Sequence, residues 1–293
     1  MIDRTQMGMG SHVQANASTQ MASVWSPPGA AGQEIRFAIM CNGHSLEQWQ
    51  ALCVEQLLRL DYVRLVLLIV DDGGWAQSRS LWMTPFDQWL YALYRRTWFK
   101  RGPRRWVDMG QTFAAAPRIQ PHIRTEGKFS QYFDDESLEA ICAYDLSFML
   151  RFGFNIIRGP ILTAARYGVW SFHHGDEMKY RGSPAGFWEI YNGDPTTVAI
   201  LQRLTNRLDA GIVLKRGYFK TINHSYIRQI ANLYNATSSW PAEVCRDIFG
   251  GTADYLAAAP SQTTAPIYHP PDNATLLLFF AKTAWFGLRR GRK

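Results

Sequence analysis

The chain has 293 residues, 47% of them hydrophobic and 19% charged, with a formal net charge of +7. This balance supplies a sizeable core and speaks against a disordered or fibrous chain, and the length suits one large α/β domain with additions. The positive charge sits in local clusters (Arg95-Arg96, Lys100-Arg101, Arg104-Arg105 and Arg289-Arg290). They read as solvated faces and tails, with attraction for a phosphate-bearing small molecule as the functional alternative and nucleic acid disfavoured.

Residues 1–33 are rich in Gln, Ser, Ala and Gly and end near Ser26-Pro27-Pro28-Gly29, the composition of a disordered leader. They lack the apolar run of a secretory signal, and Cys41, Cys53, Cys142 and Cys245 show no paired ligand spacing. The expectation is therefore a cytoplasmic protein with reduced thiols and no metal.

Ile35 to Met40 predicts a buried strand. Ser45, with Gln48 three residues on, predicts a helix start, and Leu46, Trp49, Leu52, Cys53 and Leu57 form its apolar stripe. Val63 to Val70 is almost wholly aliphatic, as a central parallel strand covered on both faces should be, so the three make a βαβ unit. Residues 71–130 carry weaker signals, apart from an aromatic helix over 85–99. Asp134-Asp135-Glu136 suits the positive end of a helix dipole. Strands are predicted over Leu146–Phe152 and Val169–His173, with a helix opened by Gly159-Pro160 and closed by Gly168 between them.

A helix from Ser183-Pro184 to Gly193 follows, then a strand over 196–204 and its hairpin partner over 211–219. Two helices are expected over 223–258, split near Pro241. Residues 275–293 form an apolar run with Lys282 inside and a basic end. It is too short and interrupted to span a membrane, and reads as a docked amphipathic helix or as a peripheral membrane contact.

His173 stands at the carboxyl end of a predicted parallel strand, where open α/β sheets bind ligands. Ser171 shares its face by the period of two. Asp209 lies in the turn Leu208-Asp209-Ala210-Gly211. A histidine oriented by a carboxylate is a general base at neutral pH. His174 points to the opposite face, so the adjacent histidines diverge and do not converge on a metal.

The residues between raise the specificity: Trp170-Ser171-Phe172-His173, then Tyr180-Arg181-Gly182, Asn192-Gly193-Asp194 and Leu208-Asp209-Ala210-Gly211. In this order they resemble the catalytic domain of the 10-formyltetrahydrofolate-dependent formyltransferases over roughly residues 140–215, and more weakly over 35–70. That family carries an Asn-x-His on a strand end, a Tyr-Arg-Gly loop, a helix ending in Asn-Gly and an Asp-x-Gly turn. The asparagine position holds Ser171 here, and His174-Gly175 replaces a usual Pro-Ser.

The resemblance implies a Rossmann-like, mostly parallel α/β domain over 34–220 with a helical C-terminal extension over 221–293. It implies formyl transfer from 10-formyltetrahydrofolate to an amine, with His173 as base or proton relay, Asp209 holding it and Ser171 at the oxyanion. Arg151, Phe152, Gly153, Phe154, Ile156 and Leu208 match the segments beside the folate, and Tyr180, Arg181 and Gly182 the substrate loop. The family's tRNA enzymes carry a C-terminal β-barrel, whereas residues 223–293 show helical patterns, so an amino sugar is the expected acceptor. The rival readings are hydrolysis of formyltetrahydrofolate and a catalytically degenerate binding protein.

Overall fold

The computed structural model describes residues 32–71, 84–97, 104–127 and 129–290. The expected leader lies almost wholly outside them, as does the Lys100-Arg101 cluster. A seven-stranded sheet is built from β1 (Ile35–Cys41), β2 (Val63–Val70), β3 (Arg118–Ile119), β4 (Phe148–Arg151), β5 (Val169–His173), β6 (Thr196–Arg203) and β7 (Ile212–Lys220). The spatial order is β7-β6-β5-β4-β1-β2-β3. Strands β3 to β5 through β2, β1 and β4 pair in parallel, while β6 is antiparallel to both its neighbours. The chain leaves β1 toward β2 on one side and later returns to add β4 and β5 on the other. That reversal opens a crevice at the carboxyl ends of β1 and β4, the place where doubly wound sheets bind ligands.

The period of two along each strand divides the core. On one face Phe37, Phe148 and Trp170 stack in series, with ring centroids 5.3 and 3.8 Å apart. Helices α1 (Gln48–Leu58) and α6 (Trp240–Gly250) cover them. On the other face Ala38, Met40, Met149 and Val169 meet Leu138 and Ile141. These two lie on α3 (Asp135–Cys142), whose N-cap Asp134 accepts from the Ser137 amide as the acidic start predicts. A third cluster joins α2 (Trp89–Thr97), α4 (Phe187–Asn192), α5 (Tyr226–Thr237) and α7 (Asn273–Arg290) through Tyr91, Phe187, Ile190, Tyr226, Ile230, Leu276 and Phe279. Residues 31–293 make one compact unit, so the helices beyond residue 220 pack into the body that holds the sheet.

Three local expectations are corrected. Ser45 to Glu47 is a short strand paired with Trp106–Asp108, and the capping box belongs to Glu47 and Gln50 instead. The segment after Gly159-Pro160 makes only a 3₁₀ turn, Pro160–Thr163. Arg104 is not solvated: its guanidinium donates to the Glu47 carboxylate at 2.6 and 2.8 Å, holding the 104–108 segment against α1.

Helix α7 docks through Leu276 and Phe279, and Lys282 donates to the Tyr191 carbonyl at 2.7 Å, so the lysine inside the apolar run faces the protein. Its outer face exposes Leu277, Leu278, Trp285 and Leu288. No helix among the described residues is long and apolar enough to cross a membrane.

Candidate functional site

Strand β5 carries the site. Val169, Ser171 and His173 share one face; Trp170 and Phe172 take the other. Ser171 and His173 are both buried. His173 Nε2 lies 3.0 Å from the carbonyl oxygen of Tyr180. A carbonyl only accepts, so Nε2 carries the proton and Nδ1 is the nitrogen that gains or loses one. Nδ1 faces Asp209, whose Oδ1 is 3.8 Å away, longer than a hydrogen bond. The imidazole is thus held from one side by backbone while Nδ1 looks toward a carboxylate.

Asp209 is fixed just as closely. It sits at φ +47°, a left-handed conformation that Asp adopts more readily than most residues. Its Oδ2 accepts from the Gly182 amide at 2.8 Å. Gly211 closes the turn by donating to Gln202 Oε1 at 3.1 Å, and a Cβ there would lie 2.4 Å from the Arg203 carbonyl, so only glycine fits. Arg181 donates to the carbonyls of Leu208 at 2.6 Å and Ala265 at 3.2 Å. Tyr180 is buried, with its hydroxyl 2.5 Å from Asp194 Oδ2. The Tyr-Arg-Gly loop is therefore tied to the Asp209 turn by bonds within the protein, and its Gly182 amide reaches the Asp209 carboxylate directly.

Arg151 ends β4, next to β5. Its Nη1 donates to the carbonyls of Asn155 at 2.7 Å and Phe154 at 3.4 Å, and its Nη2 to Ser171 Oγ at 3.1 Å. Burial pulls its affinity for the proton down, offset in part by the charge of Asp209. Gly153 meets the loop after β1 so closely that a Cβ would lie 1.9 Å from Asn42 Oδ1, and that oxygen accepts from the Phe154 amide at 3.3 Å. Phe152 meets Trp49 edge-on, Phe154 at φ +65° stacks on Phe133, and Ile156 begins a short strand beside Ser130.

His174 does lie on the opposite face. It is enclosed by Trp49, Phe172 and Tyr234, and its Nε2 is 3.0 Å from the Thr237 hydroxyl. Burial, and secondarily His173, lowers its pKa to about 3, so it is a neutral packing residue. No group of three or more His, Cys, Asp or Glu side chains suited to a metal occurs among the described residues.

A cleft of ≈ 340 Å³ opens farther along the same sheet edge, lined by Gly43, His44, Leu68, Val70, Arg118 and Gln120. It does not include His173 or Asp209. Adjacent strands are about 4.8 Å apart, so β1, which feeds the cleft, lies roughly 10 Å from β5.

Sequence reasoning missed the strap over 261–268. Thr263 donates to the Glu177 carbonyl at 2.7 Å and accepts through its own carbonyl from Arg207 at 2.6 Å, and Ser261 bonds the Gly211 carbonyl at 2.9 Å. Ile267 and Tyr268 then pair with Arg181 and Gly182. The strap clamps the loops on both sides of Asp209. Its Thr- and Pro-rich sequence carries no periodicity that would announce this.

No family model matches the sequence. Among solved structures, glycinamide ribonucleotide transformylase 1 from Symbiobacterium toebii is similar with a TM-score of 0.53 at 15% identity, over 78% of this chain and 94% of that one. Phosphoribosylglycinamide formyltransferase from Anaplasma phagocytophilum gives a TM-score of 0.50 at 12% identity, over 81% of this chain and all (100%) of that one. The protein has the formyltransferase fold: a Rossmann-like, mostly parallel sheet with its site at the carboxyl edge.

Proposed function

We propose that the protein moves a formyl group from 10-formyltetrahydrofolate to an amine. The observation that carries this reading is His173 on a carboxyl strand end, with Nε2 on the Tyr180 carbonyl and Nδ1 toward Asp209. The amine nitrogen attacks the formyl carbon, and the carbonyl electron pair moves onto oxygen. Collapse of that oxyanion breaks the bond to the folate nitrogen, which takes up the proton the amine loses. His173 Nδ1 relays the proton, and Asp209 stabilises the imidazolium formed on the way.

The folate fits the strand-end segment of β4. Phe152, Phe154, Ile156 and Leu208 offer apolar wall, and the buried Asn155 Nδ2 has no hydrogen-bond partner among the described residues. The acceptor's anionic part suits the cleft, where Arg118, His44 and Gln120 supply cationic and polar groups. An amino sugar bearing a phosphate or nucleotide meets that description. The helices after β7, standing where the tRNA enzymes of the resembled family carry a barrel, speak against tRNA.

The test is consumption of 10-formyltetrahydrofolate by the purified protein with nucleotide-linked amino sugars, with glycinamide ribonucleotide, and with water alone. Turnover that requires an amine supports the reading. Formate release without any amine makes the protein a hydrolase, and the absence of folinic acid binding to folded protein leaves only a binding or scaffold role.

Peripheral contact between α7 and an anionic membrane surface forms a second, independent part of the proposal. Leu277, Leu278, Trp285 and Leu288 face outward, α7 contains no acidic residue, and Arg289 stands over the Trp285 ring at its basic end. Alongside it, α2 ends in Arg95 and Arg96. An apolar face rimmed by cations matches anionic headgroups better than a second copy bearing the same charge. Co-sedimentation with phosphatidylserine vesicles, absent with phosphatidylcholine alone and lost in Leu288→Glu, tests it.

A further inference from the structure

Ser171 stands where the resembled family places an amide. A serine hydroxyl is shorter than that amide and has one hydrogen to donate instead of two, so alone it is a weaker oxyanion donor. The structure supplies a neighbour. Arg151 reaches across from β4 and donates to Ser171 Oγ at 3.1 Å. Because the serine oxygen accepts that bond, its own hydrogen is left to donate elsewhere.

The rest of the arginine is anchored but not saturated. Nη1 is spent on the carbonyls of Phe154 and Asn155. The Nε atom is buried and has no hydrogen-bond partner among the described residues. Among the described residues no carboxylate comes within ion-pair distance of this guanidinium; Asp209 acts on it only at longer range. A buried cation without a counter-ion carries an uncompensated desolvation cost, which an anion arriving beside it relieves. The position is informative too. Residues two apart on a strand are roughly 6–7 Å apart, so a formyl group beside His173 sits within reach of the Ser171 hydroxyl.

We propose that Arg151 and Ser171 act together as the oxyanion-stabilising pair of this site, the serine giving the hydrogen bond and the arginine the positive charge. This rests on the formyl-transfer reading above. When the amine attacks, the carbonyl electron pair moves to oxygen, and the Ser171 O–H donates to it. The guanidinium, bonded to the same serine oxygen, polarises that hydroxyl. As the carbonyl re-forms and the bond to the folate nitrogen breaks, the charge disappears and the pair relaxes. Arg151 transfers no proton and stays charged throughout. The pair stabilises what exists only in the transition state, so its loss lowers the rate constant and leaves ground-state binding intact.

The test compares wild type with Arg151→Met, Ser171→Ala, the double variant and Arg151→Met/Ser171→Asn. Folinic acid binding is read by calorimetry. The single-turnover rate is read with 10-formyltetrahydrofolate and hydroxylamine as a small amine. Arg151→Met is expected to lower the rate about 100- to 1000-fold, the range for one oxyanion donor. Folinic acid affinity is expected to change by less than about threefold. Because the two groups act as a unit, the double variant is little worse than Arg151→Met. Restoring an amide in Arg151→Met/Ser171→Asn recovers at least about tenfold, a rescue that a merely structural arginine does not give. Melting curves establish folding, and Arg151→Gln, which removes the charge but keeps a polar side chain able to donate to Ser171, serves if the methionine variant does not fold. A variant at residue 151 with wild-type rate overturns the proposal while the formyl-transfer reading stands. So does a loss confined to folinic acid binding. Wild-type protein that neither binds folinic acid nor consumes the formyl donor removes both.

Discussion

At the carboxyl edge of β4 and β5 the protein buries Ser171 and His173 and half-buries Arg151 and Asp209, while along the outer face of α7 it leaves Leu277, Leu278, Trp285 and Leu288 in water. Both regions depart from the ordinary partition of side chains, in opposite directions. An exposed leucine by itself means little, and a buried polar group means little once hydrogen-bonded. The edge gains weight because its bonds are incomplete: His173 Nδ1 stands 3.8 Å from Asp209 Oδ1, beyond a hydrogen bond, and Arg151 Nε is buried with no hydrogen-bond partner among the described residues. The helix gains weight because its outer face carries apolar residues and its outward cation Arg289 sits at one end, Lys282 being turned to the Tyr191 carbonyl. Polar groups held in fixed orientations can do chemistry; an apolar face can only be covered.

That contrast breaks first at His173. His173→Asn is expected to lower the formyl-transfer rate by about 100- to 10,000-fold, the range of a positioned general base. Its melting temperature should stay within a few degrees of wild type. Retention of the rate would reduce the site to structure. Asp209→Asn comes next. Asparagine tolerates the left-handed turn and can still accept from the Gly182 amide, so the loop survives while the negative charge facing Nδ1 is lost. The expected result is a drop of about 100-fold in rate with little change in folinic acid affinity, read by the same single-turnover and calorimetric assays.

The helix supplies the complementary perturbation. Phe279 is fully buried and stacks on Phe187 at 4.1 Å. Phe279→Ala should destabilise the protein by about 3–5 kcal/mol in urea unfolding. Leu288 is 71% exposed, and Leu288→Ala should cost less than ~0.5 kcal/mol. Equal losses at the two positions would mean that the outer face is covered in solution.

How much of this was readable in the sequence differs along the same line. Strands β1, β2, β4, β5, β6 and β7 were legible because aliphatic runs or strict alternation announce them, and strand parity put Ser171 and His173 on one face, while their pairing with Asp209 came with the family resemblance. The helix expected after Pro160 shortened to a 3₁₀ turn over Pro160–Thr163, although Ile161, Leu162 and Ala165 lie at helical spacing and are buried. The seven residues between the proline and Gly168 leave room for less than about two turns. The contact of Arg151 with Ser171 could not be read, since it depends on β4 and β5 lying side by side across twenty intervening residues. The strap over 261–268 was invisible for a related reason: its bonds go to backbone carbonyls and amides that sequence pattern does not mark.

His174 gives a small effect and the sharpest test of the buried side of β5. Its folded pKa is lowered to about 3 from an ordinary 6.5 by burial. Between those values the unfolded chain binds a proton that the folded protein refuses, so stability rises with pH over that window and is lost as pH falls below 6.5. His174→Phe keeps the ring between Trp49 and Tyr234 but has nothing to protonate. It also leaves the Thr237 hydroxyl without its imidazole partner, a cost of about 1 kcal/mol at neutral pH, moderated by that hydroxyl's contact with the Tyr234 carbonyl. The variant should therefore melt slightly below wild type at pH 7.5 and lose less on acidification, so that the two melting curves converge or cross between pH 6 and 4. Parallel curves over that range would mean that His174 is already accessible to protons in the folded protein, and that the face behind His173 is wetter than its packing shows.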